Sequence, residues 1–446
     1  MANSVYDRVF ERIDARAPEI IEFLRGLVRI RSVNPVFLTS QPLEERQCQE
    51  FIAAELKQIG FQKFDFWEPD PEALRNKYLG KPGYTANRKF ENRPNLYALL
   101  PGSGGGKSIF LTAHIDTVGA DPQKEAWKHD PWAAVVEDGR LYGRGSADMK
   151  GGIAAMIQAV KSIRAAGLKL KGDVHFGTVV DEETGSMGML ALVDRGYRAD
   201  VGIMPEPTQL RLSLLCRGII WGHIRIRGKS GHIEVQQPSA DKGGAVDALR
   251  YGRTLLDAID GINRDWLSRD SKSHPLLTRP CEVSISMVRA GQHPSSFAET
   301  FECTVDIQYL PGERDVNGLG GAIKQEVEAR IRQAFAGDTW FETHPVEFAW
   351  FVDADCGEVQ SSHPFATLCS QSLESLGYPS APVGSEFHTD MSLLTNNGTP
   401  TINLGPGDPF IAHQTNEYVP VQEVIDCTKA IARILLDWCG YMEGAQ

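Results

Sequence analysis

A chain of 446 residues, 42% hydrophobic and 23% charged, has material for two or three ordinary domains with real cores. Its formal charge of -12 excludes a protein that grips nucleic acid through a broad basic face, and no apolar run reaches the roughly 20 residues a membrane helix needs. The opening Met-Ala-Asn-Ser-Val-Tyr-Asp-Arg lacks a secretory apolar stretch, and eight scattered cysteines without a CxxC pair fit reduced thiols, so the expected compartment is cytoplasmic.

Val9, Ile13, Ile20, Ile21, Leu24 and Val28 recur at helical spacing, with Pro18 marking a break, which predicts a helical opening over 5–28. A second amphipathic helix is predicted over 43–59, where Phe51, Ile52, Leu56 and Ile59 share a face, and a strand follows at 61–66. The polar stretch 68–93 reads as a surface excursion. Strands come next at 95–100 and 109–113. The loop between them, Pro101 to Ser108, resembles a phosphate-binding G-x-x-x-x-G-K-[ST] loop. Pro101 stands where the first glycine belongs, however, and an apolar strand follows where that motif needs a helix, so the loop reads as a strand-to-strand turn.

A hairpin is predicted over 133–142 around Asp138-Gly139. Gly143 to Asp148 then turns into a helix at 150–166. Val174, Phe176, Thr178 and Val180 alternate as a strand that ends on Asp181-Glu182-Glu183, and a short strand at 201–204 ends on Pro205-Glu206. From about residue 214 the order becomes strand (219–226), helix (244–259), strands (282–287 and 300–310), helix (316–335) and strand (346–351). This is a β-α-β-β-α-β unit, and it divides the chain into a discontinuous domain of 1–213 with 353–446 and an inserted domain of 214–352. A helix carrying Phe365, Leu368, Leu373 and Leu376, a strand at 400–404 and a closing helix with Val421, Val424, Ile425 and Ile431 complete the chain.

The chemistry gathers where these strands end. Side chains two apart in an extended segment share a face, so His114 and Asp116 can act as a metal ligand and its carboxylate partner. Asp148 follows a Gly-rich turn, and Glu182-Glu183, Glu206 and His413 supply more donors. Each has an ordinary explanation alone: a hydrogen-bonded His, a solvated acidic turn, a loop Glu between prolines. Their recurrence at predicted strand ends, where open α/β sheets place sites, points to metal.

Together, Thr112-Ala-His114-Ile-Asp116-Thr-Val, Gly143-Arg-Gly-Ser-Ala-Asp148-Met-Lys-Gly-Gly, Asp181-Glu182-Glu183-Thr-Gly, Glu206-Pro-Thr, Gly228-Lys-Ser-Gly-His232 and Ala412-His413 with Asn416-Glu417-Tyr418 resemble the M20 metallopeptidase and deacylase family. That family includes acetylornithine deacetylase and succinyl-diaminopimelate desuccinylase, and the resemblance covers nearly the whole chain. It implies an α/β fold: a zinc-peptidase-like catalytic domain whose mixed sheet is flanked by helices, with an inserted α+β ferredoxin-like domain that pairs two copies into a homodimer. It also implies two divalent ions, zinc by default with cobalt or manganese as alternatives. Asp148 would bridge them, with His114 and Glu206 on one, Glu183 and His413 on the other, and Asp116 orienting His114. Three carboxylates and two neutral imidazoles leave two dications net positive, which lowers the pKa of a bridging water. Glu182 is implied as the general base that passes the water's proton to the leaving amine, and His232, from a neighbouring protomer, as the oxyanion stabiliser.

Auxin-conjugate and aminoacylase-like hydrolases carry Cys where Asp148 stands, and aminopeptidase members tend to carry Asp where Glu206 stands. The chain therefore looks like the deacylase, desuccinylase and carboxypeptidase side. Members that bind an amino-acid carboxylate often have Arg where this chain has Gln308, and another after the equivalent of Thr389-Asp390, where it reads Met391-Ser392. Gln lacks the charged fork that holds a carboxylate. Arg217 is left as a candidate clamp, with Gln308, Thr389 and Asp390 as further substrate-binding candidates and His388 beside them. The expected activity is metal-dependent hydrolysis of a small N-acyl amino acid or an N-acyl or aryl amine. Either the substrate's carboxylate is absent or differently placed, or another basic residue replaces the arginines. A carboxypeptidase or dipeptidase of the same family is the second reading. A catalytically silent binding protein is a remote third, since neither Glu182 nor any ligand is missing.

Overall fold

The computed structural model describes residues 4–37, 44–123 and 125–443. The opening splits into helices Val5–Ala15 and Ala17–Arg29. Ser4 starts the first with a capping box, and Pro18 sits in the first turn of the second, where no amide hydrogen is missed. Glu45–Ile59 is the next helix and ends on Gly60 in the left-handed conformation.

The main sheet has nine strands. Along it lie Gln62–Trp67, Asn95–Leu100, Val174–Val179, Ile109–His114, Val201–Pro207, Thr401–Gly405, Ser213–Cys216 and Gly357–Glu358, with Val383–Ser385 also paired to Ser213–Cys216. Its middle four strands, Val174–Val179 to Thr401–Gly405, run parallel. Their burial is nearly continuous, as a strand covered on both faces requires. Because they are parallel, their C-terminal ends share one edge, where His114, the Glu182-Glu183 turn and Glu206 stand, whereas the turn bearing Asp148 follows strand Arg140–Tyr142 of a separate three-stranded sheet. Helices Gly151–Ala165 and Val421–Cys439 pack on each other within the large core.

Three differences from the sequence reading have physical causes. The strands at 95–100 and 109–114 are not neighbours, because Val174–Val179 lies between them. The glycine loop that joins them closes against backbone: a Cβ at Gly106 would fall 2.0 Å from the Cys439 carbonyl oxygen. Second, the excursion after residue 67 is partly anchored. It contains helix Pro71–Tyr78, capped by Asp70, and ends on Arg93, which is buried in an ion pair with Glu45. Third, the strand predicted to stop at Met204 continues to Pro207, so Glu206 stands on a strand.

Within the inserted segment, four antiparallel strands line up as Val283–Ala290, Thr300–Tyr309, Gly218–Arg227 and Glu347–Ala354. With helices Ala248–Trp266 and Gly321–Gln333 they complete the β-α-β-β-α-β order. Ile220, Ile224 and Ile226 alternate inward along strand Gly218–Arg227, and with Leu255, Ile259, Phe301, Val305, Val327 and Ile331 they form a hydrophobic cluster separate from the large one. Each such side chain, fully buried, contributes roughly 1.5–3 kcal/mol as an upper bound. The stripe Ala248, Leu255, Ile259, Ile262, Trp266 carries the first helix past the predicted end at 259. Among the described residues, no helix is long and apolar enough to cross a membrane.

Candidate metal centre

His114 closes strand Ile109–His114. Its Nδ1 lies 2.9 Å from the Asp116 carbonyl oxygen, while the Asp116 carboxylate is farther away, at 3.7 Å. With Nδ1 donating to that carbonyl, Nε2 is the nitrogen that would face a cation. Asp148, on the turn Ser146–Lys150, places Oδ1 3.0 Å from His114 Nε2 and Oδ2 3.3 Å from His413 Nε2. His413 Nε2 is also 3.1 Å from Glu183 Oε2. Glu206 Oε1 lies 3.9 Å from His114 Nε2, is buried, and makes no hydrogen bond. Glu182 Oε2 is likewise 3.9 Å from that nitrogen. The five residues read as ligands therefore fall into two groups that share Asp148, with Glu182 beside them.

The electrostatics bear on what this arrangement can hold. Burial, reinforced by Asp148, pushes the Glu206 carboxyl well above its usual range. Burial does the same to Glu182, where the pull of His114 is opposed by Asp390 and Glu206. Burial would also raise Asp148, but hydrogen bonds from His114 and His413 hold it below its ordinary value. Burial alone would lower both imidazoles, yet the surrounding carboxylates raise His114 well above its ordinary value and His413 to about 11. Half of the His413 side chain is open to solvent, which screens part of that effect. An orphaned buried carboxylate oxygen, a two-sided Asp and two imidazoles make a donor set that fits divalent cations.

Two further carboxylates shape the turns. Glu417 is buried and accepts hydrogen bonds from the amides of Gly145, Ala147 and Asp148, at 3.0–3.2 Å, and from the Arg144 guanidinium at 2.7 Å. Arg144 also donates to the His413 carbonyl, joining the two loops. Asp116 accepts from the amides of Glu182 and Glu183 and from Asn34 Nδ2, so its carboxylate shapes the Glu-Glu turn more than it touches His114. Below, Asp181 holds Thr184 and faces Arg88 and Arg93. Sequence reasoning gave Glu417, Arg144 and Asn34 no role. Glu417 lay within a quoted motif and Arg144 within the Gly-rich turn, but Asn34 had no local signal.

On the substrate side, His388 and Asp390 converge with Glu182, each offering an atom within 4.8 Å of the others. Burial pushes the His388 imidazole down to about 4 and the Asp390 carboxyl up to about 7. Neither Asp390 oxygen makes a hydrogen bond. Thr389 is buried and its hydroxyl accepts from Asn403 at 3.0 Å. Arg217 and Gln308 are brought together, but the arginine is not offered to a ligand: it is ion-paired with Glu386 at 2.5 Å. His232 is exposed, and its partners Glu234 and Ser296 belong to its own inserted segment.

Parallel strands whose ends deliver carboxylates and imidazoles to one point define an α/β metallohydrolase. Residues 110–437 match the family model described as Peptidase family M20/M25/M40, and the chain belongs to that family, as a metal-dependent hydrolase of amide bonds in N-acyl compounds. It is 34% identical to a succinyl-diaminopimelate desuccinylase of Methylobacterium radiotolerans, over 95% of this chain and 97% of that one. It is 27% identical to an N-formyl-4-amino-5-aminomethyl-2-methylpyrimidine deformylase of Halalkalibacterium halodurans, over 98% of each. Among solved structures, the di-peptidase Dug1p of Saccharomyces cerevisiae superposes with a TM-score of 0.75 at 17% identity, covering 98% of this chain and 99% of that one. The Bacillus subtilis YXEP protein, a dinuclear metal-binding M20 peptidase, does so at 0.59 and 16%, covering 96% and 99%.

Proposed function

We propose that this enzyme is a two-metal deacylase that removes a small acyl group from an amine. The observation that carries the reading is Asp148, with one oxygen turned to each of two imidazoles. His114 and Glu206 would hold one ion and Glu183 and His413 the other, zinc being the default for this mixture of nitrogen and carboxylate donors. When bound, such ions acidify water and polarise a carbonyl.

The chain's own residues do the rest. Glu182, half-buried beside the donors without being needed as a ligand, takes the proton from water and delivers it to the departing nitrogen. Asp116 and Glu417 fix the turns that present Glu182, Glu183 and Asp148. His388 and Asp390 line the approach to Glu182. His232 would reach the acyl oxygen from a second copy, and its exposure on the inserted segment supports that reading. The separate hydrophobic cluster of that segment supports an inserted unit, with its bounds moved from 214–352, because Leu214 and Cys216 belong to the large cluster while strand Glu347–Ala354 and Cys356 belong with the small one; the inserted unit would make a homodimer. Eight buried, unpaired cysteines support a cytoplasmic location.

Relatives named for a formylated aminomethylpyrimidine and for a succinylated diamino acid support short acyl groups on an amine. The test is turnover of N-formyl, N-acetyl and N-succinyl amides and of dipeptides, before and after chelation and metal restoration. Chelator-sensitive release of the acyl group is expected. Hydrolysis confined to dipeptides would replace the deacylase reading with a dipeptidase one.

A further inference from the structure

Arg217 is the one residue between strands Ser213–Cys216 and Gly218–Arg227, where the chain passes from the nine-stranded sheet to the four-stranded one. Its side chain is fully buried. Nη1 donates to Gln308 Oε1. Nη2 donates to the Arg279 carbonyl at 2.5 Å and lies 2.5 Å from Glu386 Oε2. Glu386 is fixed in turn, since its other oxygen accepts from the Thr278 amide at 2.6 Å and from the Thr278 hydroxyl at 2.8 Å. Arg217 is closed off from solvent, but 26% of the Glu386 side chain is exposed. The backbone of Arg217 ties this pair to the groups around Glu182: the Arg217 carbonyl lies 3.4 Å from His388 Nδ1, and His388 converges with Glu182 and Asp390.

Resting on the deacylase reading, we infer that Glu386 is a specificity-determining residue: an internal carboxylate that occupies the Arg217 guanidinium and selects against substrates bearing an α-carboxylate. Both terminal nitrogens of the arginine are engaged and only Nε is without a partner, so the two-nitrogen terminal fork is not free for a second carboxylate. A substrate carboxylate would have to displace a buried ion pair held by Thr278, and would meet the negative charge of Glu386 while doing so. The preferred substrates are N-acyl amines that are neutral or cationic on the amine side.

The experiment compares N-formylphenylalanine with N-formylphenethylamine, which differ only in the α-carboxylate, measuring both kcat/KM and Kd on the metal-loaded full chain. Glu386→Gln keeps an oxygen for Thr278 and removes the charge. It should raise the ratio of carboxylate to carboxylate-free substrate about tenfold or more. Arg217→Met leaves Glu386 uncompensated and should move the same ratio the other way. Melting temperature and metal content establish that each variant is folded and loaded. If both variants weaken both compounds equally, the pair is only structural and the inference is overturned. If the metal-restored wild type hydrolyses neither compound while the Kd ratios shift as stated, the deacylase reading fails and the role of Glu386 stands.

Discussion

Glu182 and Glu183 are adjacent in sequence yet meet different partners. Glu183 reaches His413, whereas Glu182 lies between His114 and the His388–Asp390 pair. The amides of both donate to Asp116, which fixes the turn from which the two side chains diverge. Replacing Glu182 by Gln removes the proposed proton acceptor and leaves the five ligand candidates in place. Turnover should fall by about 10²–10⁴-fold, while metal content measured by atomic emission stays at the wild-type level. A variant that turned over at the wild-type rate would remove Glu182 from the chemistry. If it lost metal instead, Glu182 would be a ligand.

The turn from Gly143 to Lys150 shows how much of a site can depend on one distant carboxylate. Its amides point inward on Glu417, which also neutralises Arg144, and that arrangement fixes the backbone that carries Asp148. Glu417→Ala leaves a buried arginine and three amides unpaired. It should destabilise the protein by about 3–5 kcal/mol, read as a lower melting temperature, and weaken metal binding by about 10–100-fold in a competition titration. The same contrast separates what was legible in the sequence from what was not. The hairpin at Asp138-Gly139 and the long helices are local patterns, and the structure places them as read, whereas His114 is held by the Asp116 carbonyl and not, as read, by its carboxylate. Helix Met391–Asn396 and strand Ser213–Cys216 are too short to carry a period and were missed. The pairing of Asp148 with His413 could be read only through family resemblance. The pairing of Arg217 with Glu386 could not be read at all, because it joins segments far apart in the chain.

For the whole molecule, the balance of charge at the strand ends sets how metal, protons and stability are linked. In the metal-free protein the carboxylates around His114 and His413 shift both imidazoles toward their protonated form. A ligand imidazole must be neutral, so loading the site displaces these protons, and affinity should rise as pH climbs from 6 to 9. The sign follows from the direction of the shift: a group that holds its proton more tightly in the folded apoprotein opposes metal more strongly at low pH. Adding zinc to chelator-stripped protein in weakly buffered solution at pH 7.5, a condition of about neutral pH, should release roughly one proton per imidazole ligand, with more if Glu206 also begins protonated. The loaded protein should also melt higher, since a ligand at 100 times its Kd adds about 2.7 kcal/mol to stability. His413→Ala should remove about one of the released protons and weaken one metal equivalent. Unchanged proton release in that variant would place the second ion elsewhere and overturn the bridging role proposed for Asp148.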